Sequence, residues 1–286
     1  MNSKPGVVIL CCDGLYQRHL IKRVAQECRL LGIVLQIDTS LRGSLWSRIT
    51  RYLQPVELVH YFMARADSYR NRKKLDQVLD ELFYEKGAPP RLPINCPVLT
   101  VNNVNDPRAV KFVHELKPDL ICVNGTRLLR KPMLDLIPIM TYGIINLHTG
   151  LSPYARGGNC NLFALLEGHP EWVGITIHHI DAGIDSGDII LTDQVQVKPD
   201  DIYQIIDAKT FHAGIELMIK AIKQTVAEKA QRVKQWTEGK LFLRRTGYVY
   251  KPYQVYKVNK LIRRGLLRDY LQQRPEVDAN VRLVKE

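Results

Sequence analysis

The sequence predicts an α/β protein in which a mostly parallel sheet carries helices on both faces. Three observations predict it. Short continuous apolar runs, at residues 7–12 and 120–123, read as strands buried on both faces, and 33–37 reads as a further strand. Segments of helical periodicity separate these runs. At 286 residues and 45% hydrophobic content the chain can bury a large core, and no apolar run approaches the ~18 residues of a membrane span.

The first strand, 7–12, leads into the turn Asp13-Gly14-Leu15-Tyr16. Leu20, Ile21, Val24 and Cys28 recur at helical spacing and predict a helix over 19–31, followed by a strand at 33–37. This strand–helix–strand order is a Rossmann-like opening, but no G-x-G-x-x-G follows the first strand, so a dinucleotide cofactor is not supported. His19 reads as helix-surface packing, with a substrate phosphate contact as the alternative. Residues 45–53 and 56–64 have helical character. Leu75, Val78, Leu79, Leu82 and Phe83 make a one-sided stripe that predicts a core-packing amphipathic helix over 69–84. Pro89, Pro90 and Pro93 then break the chain. A short strand is expected at 98–101. Asn105-Asp106 caps a helix from Pro107 to Leu116, 120–123 is a buried strand, and 133–136 begins a helix.

The central stretch is 141–192. Gly143-Ile144-Ile145 opens a strand that delivers Asn146, Leu147 and His148, and alternation puts Asn146 and His148 on one face. A Gly- and Pro-rich turn, 150–158, ends it. A short helix around 162–166, a strand at 174–180 and the loop from Asp181 to Gly187 follow, whose two glycines beside two aspartates can hold a carboxylate in place. Beyond lie a strand at 194–197, Asp201 capping a helix over 202–227, short strands or a hairpin over 240–256, a basic helix over 261–271 and a loose tail after Arg274.

Four of the six cysteines lie in apolar surroundings and none shows C-x-x-C spacing, so free thiols in a reducing compartment are expected and no metal. The chain opens almost directly on its first strand, which predicts a cytoplasmic protein without a signal peptide. The net charge of +12 concentrates between Lys240 and Arg268, with a second group from Arg65 to Lys74. These are solvated faces or the footprint of a polyanion: a nucleotide-linked substrate, RNA or an anionic membrane surface.

Asn146-Leu147-His148, Pro153-Tyr154-Ala155-Arg156-Gly157, Gly174-Ile175-Thr176-Ile177-His178 and Asp181 to Gly187, in this order and spacing, resemble the folate-dependent formyltransferase family, most clearly over 117–194. Gly150 departs from the pattern, since many members carry Ser there. The resemblance implies a Rossmann-like formyltransferase core over 1–205, with 206–286 as a C-terminal helix and a basic, aromatic-rich extension. It implies formyl transfer from 10-formyltetrahydrofolate to an amine, with Asn146 as oxyanion donor, His148 as general acid/base and Asp185 as its partner. Cofactor contacts would come from Gly125, Thr126, Arg127, Leu128, Leu129 and Asp181, and substrate contacts from Arg156 and Gly157. Taken singly, these residues have plainer uses: Leu128 and Leu129 as core, Asp181 as the holder of its loop, Arg156 as an anchor of the 153–158 turn. His178 and His179 are adjacent and so face opposite sides of their strand, which argues against a metal pair.

Each group has a chemical use in formyl transfer. An amide donor to a developing oxyanion is worth about 2.7–4 kcal/mol in acyl-transfer enzymes. An imidazole beside a carboxylate can move the amine's proton. For the acceptor, Cys12-Asp13-Gly14-Leu15 lacks the phosphate loop of glycinamide ribonucleotide formyltransferases. The segment after Ala227 lacks the regular strand spacing of the C-terminal barrel of methionyl-tRNA formyltransferases. An N-terminal regulatory domain like that of formyltetrahydrofolate hydrolases is not expected. The resemblance therefore favours an amino-sugar nucleotide of surface polysaccharide synthesis and implies a homodimer. Another amine, including methionyl-tRNA or glycinamide ribonucleotide, is the alternative, with nucleic acid the lesser expectation as partner. A non-catalytic RNA- or membrane-surface-binding protein on the same fold is the alternative of another class.

Overall fold

Strand β1, Gly6–Cys12, lies mid-sheet because both of its faces are apolar. Val7, Ile9 and Cys11 join one hydrophobic cluster while Val8 and Leu10 join another on the opposite face. The computed structural model describes residues 4–37, 55–85, 87–92 and 95–285. The expected helical segment at 45–53 and the break at Pro93 lie outside them.

From β1 the chain runs through α1 (Leu15–Glu27), β2 (Arg29–Gln36), α2 (Pro55–Phe83), β3 (Val98–Val101) and α3 (Pro107–Leu116). It continues through β4 (Leu120–Asn124), α4 (Lys131–Leu134), β5 (Gly143–His148), β6 (Ala155–Gly157) and α5 (Cys160–Leu166). Then come β7 (Gly174–His179), β8 (Ile189–Gln194), α6 (Tyr203–Val226), β9 (Lys240–Phe242), α7 (Pro252–Arg263) and α8 (Leu266–Asp278). The main sheet has the order β3-β2-β1-β4-β5-β7-β8. The first five strands are mutually parallel, and β7 and β8 add antiparallel at the β5 edge. This is the α/β, Rossmann-like architecture expected, with helices on both faces. The cluster on one face collects residues of α1, α6, α7 and α8, and that on the other collects Ala109 and Val113 of α3.

Several local expectations are corrected. Helix α1 starts at Leu15 and ends at Glu27, because Arg29 and Leu30 already pair with β1. The segments expected at 56–64 and 69–84 are one 29-residue helix, α2, since Arg65-Ala66-Asp67-Ser68 holds neither Gly nor Pro to break it. The strand expected at 194–197 is β8, five residues earlier, and Val195 and Val197 keep buried side chains beyond its end.

Asp106 caps α3 through the Arg108 N–H (2.9 Å), as its position before Pro107 predicts. Asp201 does not cap α6. It accepts the Lys198 N–H at 2.8 Å and pairs with Lys209, while the Tyr203 N–H donates to Asn259 Oδ1 at 2.8 Å.

The hairpin expected over 240–256 is a three-residue strand, β9, followed by helix α7 from Pro252; proline at the first helical position favours that start. The basic helix expected over 261–271 is divided at Arg264-Gly265 into α7 and α8. The tail is tied down: Thr192 N–H donates to Val284 O at 2.8 Å, and Val284 N–H to Thr192 Oγ1 at 2.7 Å. The 205/206 division falls inside α6, and Val258, Ile262, Leu267 and Tyr270 of the extension belong to the main core. No helix among the described residues is long and apolar enough to cross a membrane.

Candidate active site

The chain builds outward from β1 through β2 to β3, then returns to add β4 and β5 on the other side. Ligands of open α/β sheets bind beyond the carboxyl ends of strands near such a reversal. A 390 Å³ cavity lies there, lined by Val123 to Leu129 after β4, Asn146 to Thr149 at the end of β5, and residues of the 181–185 loop.

Register brings the functional groups together. Pairing of β5 with β7 sets Asn146 opposite His178 and His148 opposite Thr176. Asn146 Nδ2 lies 3.1 Å from His178 Nε2 and donates to Asp185 Oδ1 at 3.4 Å. Asp185 Oδ2 stands 3.5 Å from His148 Nδ1 and accepts the Gly157 N–H at 2.9 Å. The other His148 nitrogen, Nε2, lies 3.0 Å from Ala155 O. Both ring nitrogens therefore face acceptors, and only the doubly protonated ring donates to both. Burial by itself would push the Asp185 carboxyl up. The charge of His148, the hydrogen bond and charge of His178 and the Gly157 N–H outweigh it and hold Asp185 well below the ordinary carboxylate range. Asp185 also adopts positive φ (+44°), a conformation Asp tolerates better than most residues.

The surroundings fix this cluster. The Gln17 side chain of α1 donates to Asn124 Oδ1 at 2.7 Å, and Asn124 Nδ2 donates to Leu147 O at 2.9 Å, which bolts β4 to the end of β5. Thr176 Oγ1 donates to Gly150 O and accepts the Ser152 N–H, both at 2.8 Å, and so shapes the turn after His148. The extension supports the loops directly. Gln235 Nε2 donates to the carbonyls of Asp185 (2.7 Å) and Gly187 (3.1 Å). Strand β9 pairs in parallel with β6, so that Gly157 (φ +103°) runs against Phe242; a Cβ there would sit 2.5 Å from Phe242 O.

Of the residues singled out in the sequence, Asn146, His148 and Asp185 converge, and Gly125, Thr126, Arg127, Leu128, Leu129, Gly157 and Asp181 line the cavity. Leu129 is buried and Leu128 half-exposed. Asp181 also holds its own loop, accepting the Gly183 N–H (2.9 Å) and the Ser186 hydroxyl (2.8 Å). Arg156 is not among the lining residues; its Nε is buried with no hydrogen-bond partner among the described residues. His19 packs edge-on to Phe83, and burial, then the charges of His212, Lys22 and Arg23, push its imidazole down to about 4.

The sequence reading missed His178 as a direct neighbour of Asn146 and Asp185. The period-two placement of Thr176 and His178 is its signal, but the partner strand had to be known. It also missed Gln17 and Asn124, whose contact joins residues 107 apart. The six cysteines are free thiols. Among the described residues no group of three or more His, Cys, Asp or Glu side chains is arranged to hold a metal ion.

The methionyl-tRNA formyltransferase of Syntrophus aciditrophicus (strain SB) is 31% identical over 137 residues, covering 48% of this chain and 43% of that protein. That of Kosmotoga olearia is 35% identical over 132 residues, covering 46% and 41%. The matches thus span less than half the length of these relatives. Among solved structures, glycinamide ribonucleotide transformylase 1 from Symbiobacterium toebii has a TM-score of 0.54 at 16% identity, covering 82% of this chain and 96% of that one. A sugar N-formyltransferase from Shewanella sp FDAARGOS_354 has a TM-score of 0.54 at 14% identity, covering 89% and 86%. At these identities the likeness is one of fold. The formyl transferase family model matches residues 48–222, which contain the whole Asn146–His148–Asp185 cluster and well over half of the chain, and by that match the chain belongs to the formyltransferase family.

Proposed function

We propose that the protein transfers a formyl group from 10-formyltetrahydrofolate to the amino group of a nucleotide-linked amino sugar. One observation carries the reading: Asn146, His148 and Asp185 meet at the carboxyl end of the sheet, on the wall of a cavity whose other side is the 125–129 segment. The cavity suits a folate. Apolar Val123, Leu128 and Leu129 can cover a flat pterin, while backbone amides and Asp181 offer polar partners to its edge. Bound there, formyltetrahydrofolate supplies an activated one-carbon carbonyl. The Asn146 amide donates to the carbonyl oxygen as it gains charge. The His148–Asp185 pair takes the proton that the attacking amine releases and returns it to the folate nitrogen as that nitrogen's bond to the formyl carbon breaks. His148, with both ring nitrogens on acceptors, has no free lone pair for that proton, whereas the Asp185 carboxylate presents Oδ1 3.4 Å from the Asn146 amide.

The methionyl-tRNA formyltransferases among the relatives favour a second reading, methionyl-tRNA as acceptor, with the basic surface holding RNA. The deciding experiment incubates the chain and formyltetrahydrofolate with a panel of amino-sugar nucleotides and, in parallel, with charged initiator tRNA. A formyl mass on one sugar nucleotide, abolished in Asn146→Ala and Asp185→Asn, is the expected result. Formylation of the tRNA alone would replace the first reading with the second, and no release of tetrahydrofolate with any acceptor would sink both.

A further inference from the structure

The catalytic cavity has two neighbours. A 220 Å³ cavity shares Thr149, Asn159 and Phe211 with it and adds Asn161, Tyr203, Asp207 and Tyr250. Tyr250 also lines a 490 Å³ cleft between the N-terminal half of α2 and residues 244–253. The shared residues place the three side by side, in a row from Asn146 past Asp207 to that cleft.

The chemistry changes along the row. In the middle cavity Asp207 is the one charged lining side chain. Burial pushes its carboxyl up to about 7, against the opposing hydrogen bond of Tyr203. The cleft is aromatic and basic. His60 of α2 and Tyr253 stack face to face with centroids 3.6 Å apart, and Tyr61 and Tyr250 stand beside them. Arg244 and Lys251 supply positive charge; Lys251 also binds Glu57, the acid in the cleft, at 2.7 Å. Aromatic faces beside a guanidinium and an ammonium suit a planar base attached to phosphates, and the volume lies within the range of about 300–1,000 Å³ that small-molecule sites occupy. A purely apolar acceptor would leave the Arg244 guanidinium unused, and the carboxylate beyond it fits a polyhydroxylated amine.

We propose that this row of cavities is the acceptor site: the nucleoside diphosphate occupies the cleft between α2 and residues 244–253, and the amino sugar passes into the catalytic cavity beside Asp207, whose carboxyl receives a sugar hydroxyl. The inference rests on the formyl-transfer reading above and adds to it the location of the acceptor.

The test titrates the full chain with uridine, guanosine and thymidine diphosphates, and separately with tetrahydrofolate, by isothermal titration calorimetry. Arg244→Ala and Tyr250→Ala, both at exposed positions, are compared with wild type. One diphosphate is expected to bind and to lose about tenfold or more in affinity in each variant, with tetrahydrofolate affinity unchanged. In turnover, Asp207→Asn is expected to raise the acceptor KM about tenfold and leave the formyl donor KM alone. Diphosphate binding indifferent to both variants, or none while tetrahydrofolate binds, overturns the inference and leaves formyl transfer standing. If natively folded protein binds neither ligand, the formyl-transfer reading fails and takes the inference with it.

Discussion

Asp185 Oδ2 lies 3.5 Å from His148 Nδ1, and the same oxygen accepts the Gly157 N–H at 2.9 Å. The carboxylate thus joins a loop after β7 to the strand β5 and to the edge strand β6. Because its folded-state ionisation lies below the ordinary carboxylate value, the folded chain binds fewer protons here than the unfolded chain does in acid. The stabilisation is complete above about pH 4 and is lost as pH falls through the lower, folded value. Asp185→Asn is expected to melt below wild type at pH 7 and to approach it as pH falls toward 3, with formyl transfer lost at both. Equal melting temperatures at pH 7 would contradict the pairing.

Asn146 is held in place by two neighbours, His178 and Asp185, rather than by the reaction. Asn146→Ala removes one donor to the carbonyl oxygen, and kcat is expected to fall about 10²–10³-fold, or roughly 2.7–4 kcal/mol. The KM for formyltetrahydrofolate should move far less. A variant that loses affinity and keeps kcat would make Asn146 a binding residue instead.

Gly150 stands where many family members have Ser, and here the space is taken. A Cβ at this position would sit 2.5 Å from His148 Nε2, 2.6 Å from Cys160 Cβ and 3.0 Å from Ala155 O. Gly150→Ala should swing the His148 ring off Ala155 O, lowering kcat about tenfold or more in a folded protein. Unchanged kcat would show that the ring position is not used in catalysis.

Asp207 gives a pH dependence of opposite sign to Asp185. Its folded-state ionisation is raised to about 7, from an unfolded value near 4. Between those values the folded chain holds the extra proton, so this group's contribution to stability falls as pH rises. Asp207→Asn should therefore gain thermal stability over wild type at pH 8 and none at pH 4. Melting curves at the two pH values check it, and a variant equally stabilised at both would rule out titration as the cause.

Asp67 anchors the extension to the core. Its buried carboxylate accepts from Asn259 Nδ2 at 2.6 Å and Arg263 Nη1 at 2.8 Å, and Asn259 in turn receives the first N–H of α6. Asp67→Ala takes the acceptor from a buried amide and from a partly exposed guanidinium, and a loss of about 1–3 kcal/mol is expected in denaturant unfolding. A loss below about 1 kcal/mol would mean that solvent replaces the carboxylate.

The parallel strands were legible because a strand covered on both faces must be apolar at every position, as residues 7–12 and 120–123 are. The start of α3 was legible because Asp106 and Pro107 satisfy local backbone needs. Where a residue's role depends on distant partners, the local reading failed. Asp201 had the form of a cap, yet a side chain 56 residues away meets the N–H that opens α6. The aromatic alternation over 240–256 suggested strands, while only three residues there find a strand partner, on β6.

The sequence alone determined the α/β class and the order of most elements, because strand and helix periodicity are properties of neighbours in the chain; Asn146, His148 and Asp185 became candidates through the resemblance of their motifs, in order and spacing, to a known family. Tertiary structure decided that His178 stands opposite Asn146, that Gln235 holds the loop of Asp185 while β9 pairs with β6, and that Asp207 lines a cavity adjoining the candidate site. Those relationships are set by strand register and helix packing between segments up to 85 residues apart along the chain. The free energy that selects them comes from burying the whole core at once, and a local pattern does not encode it.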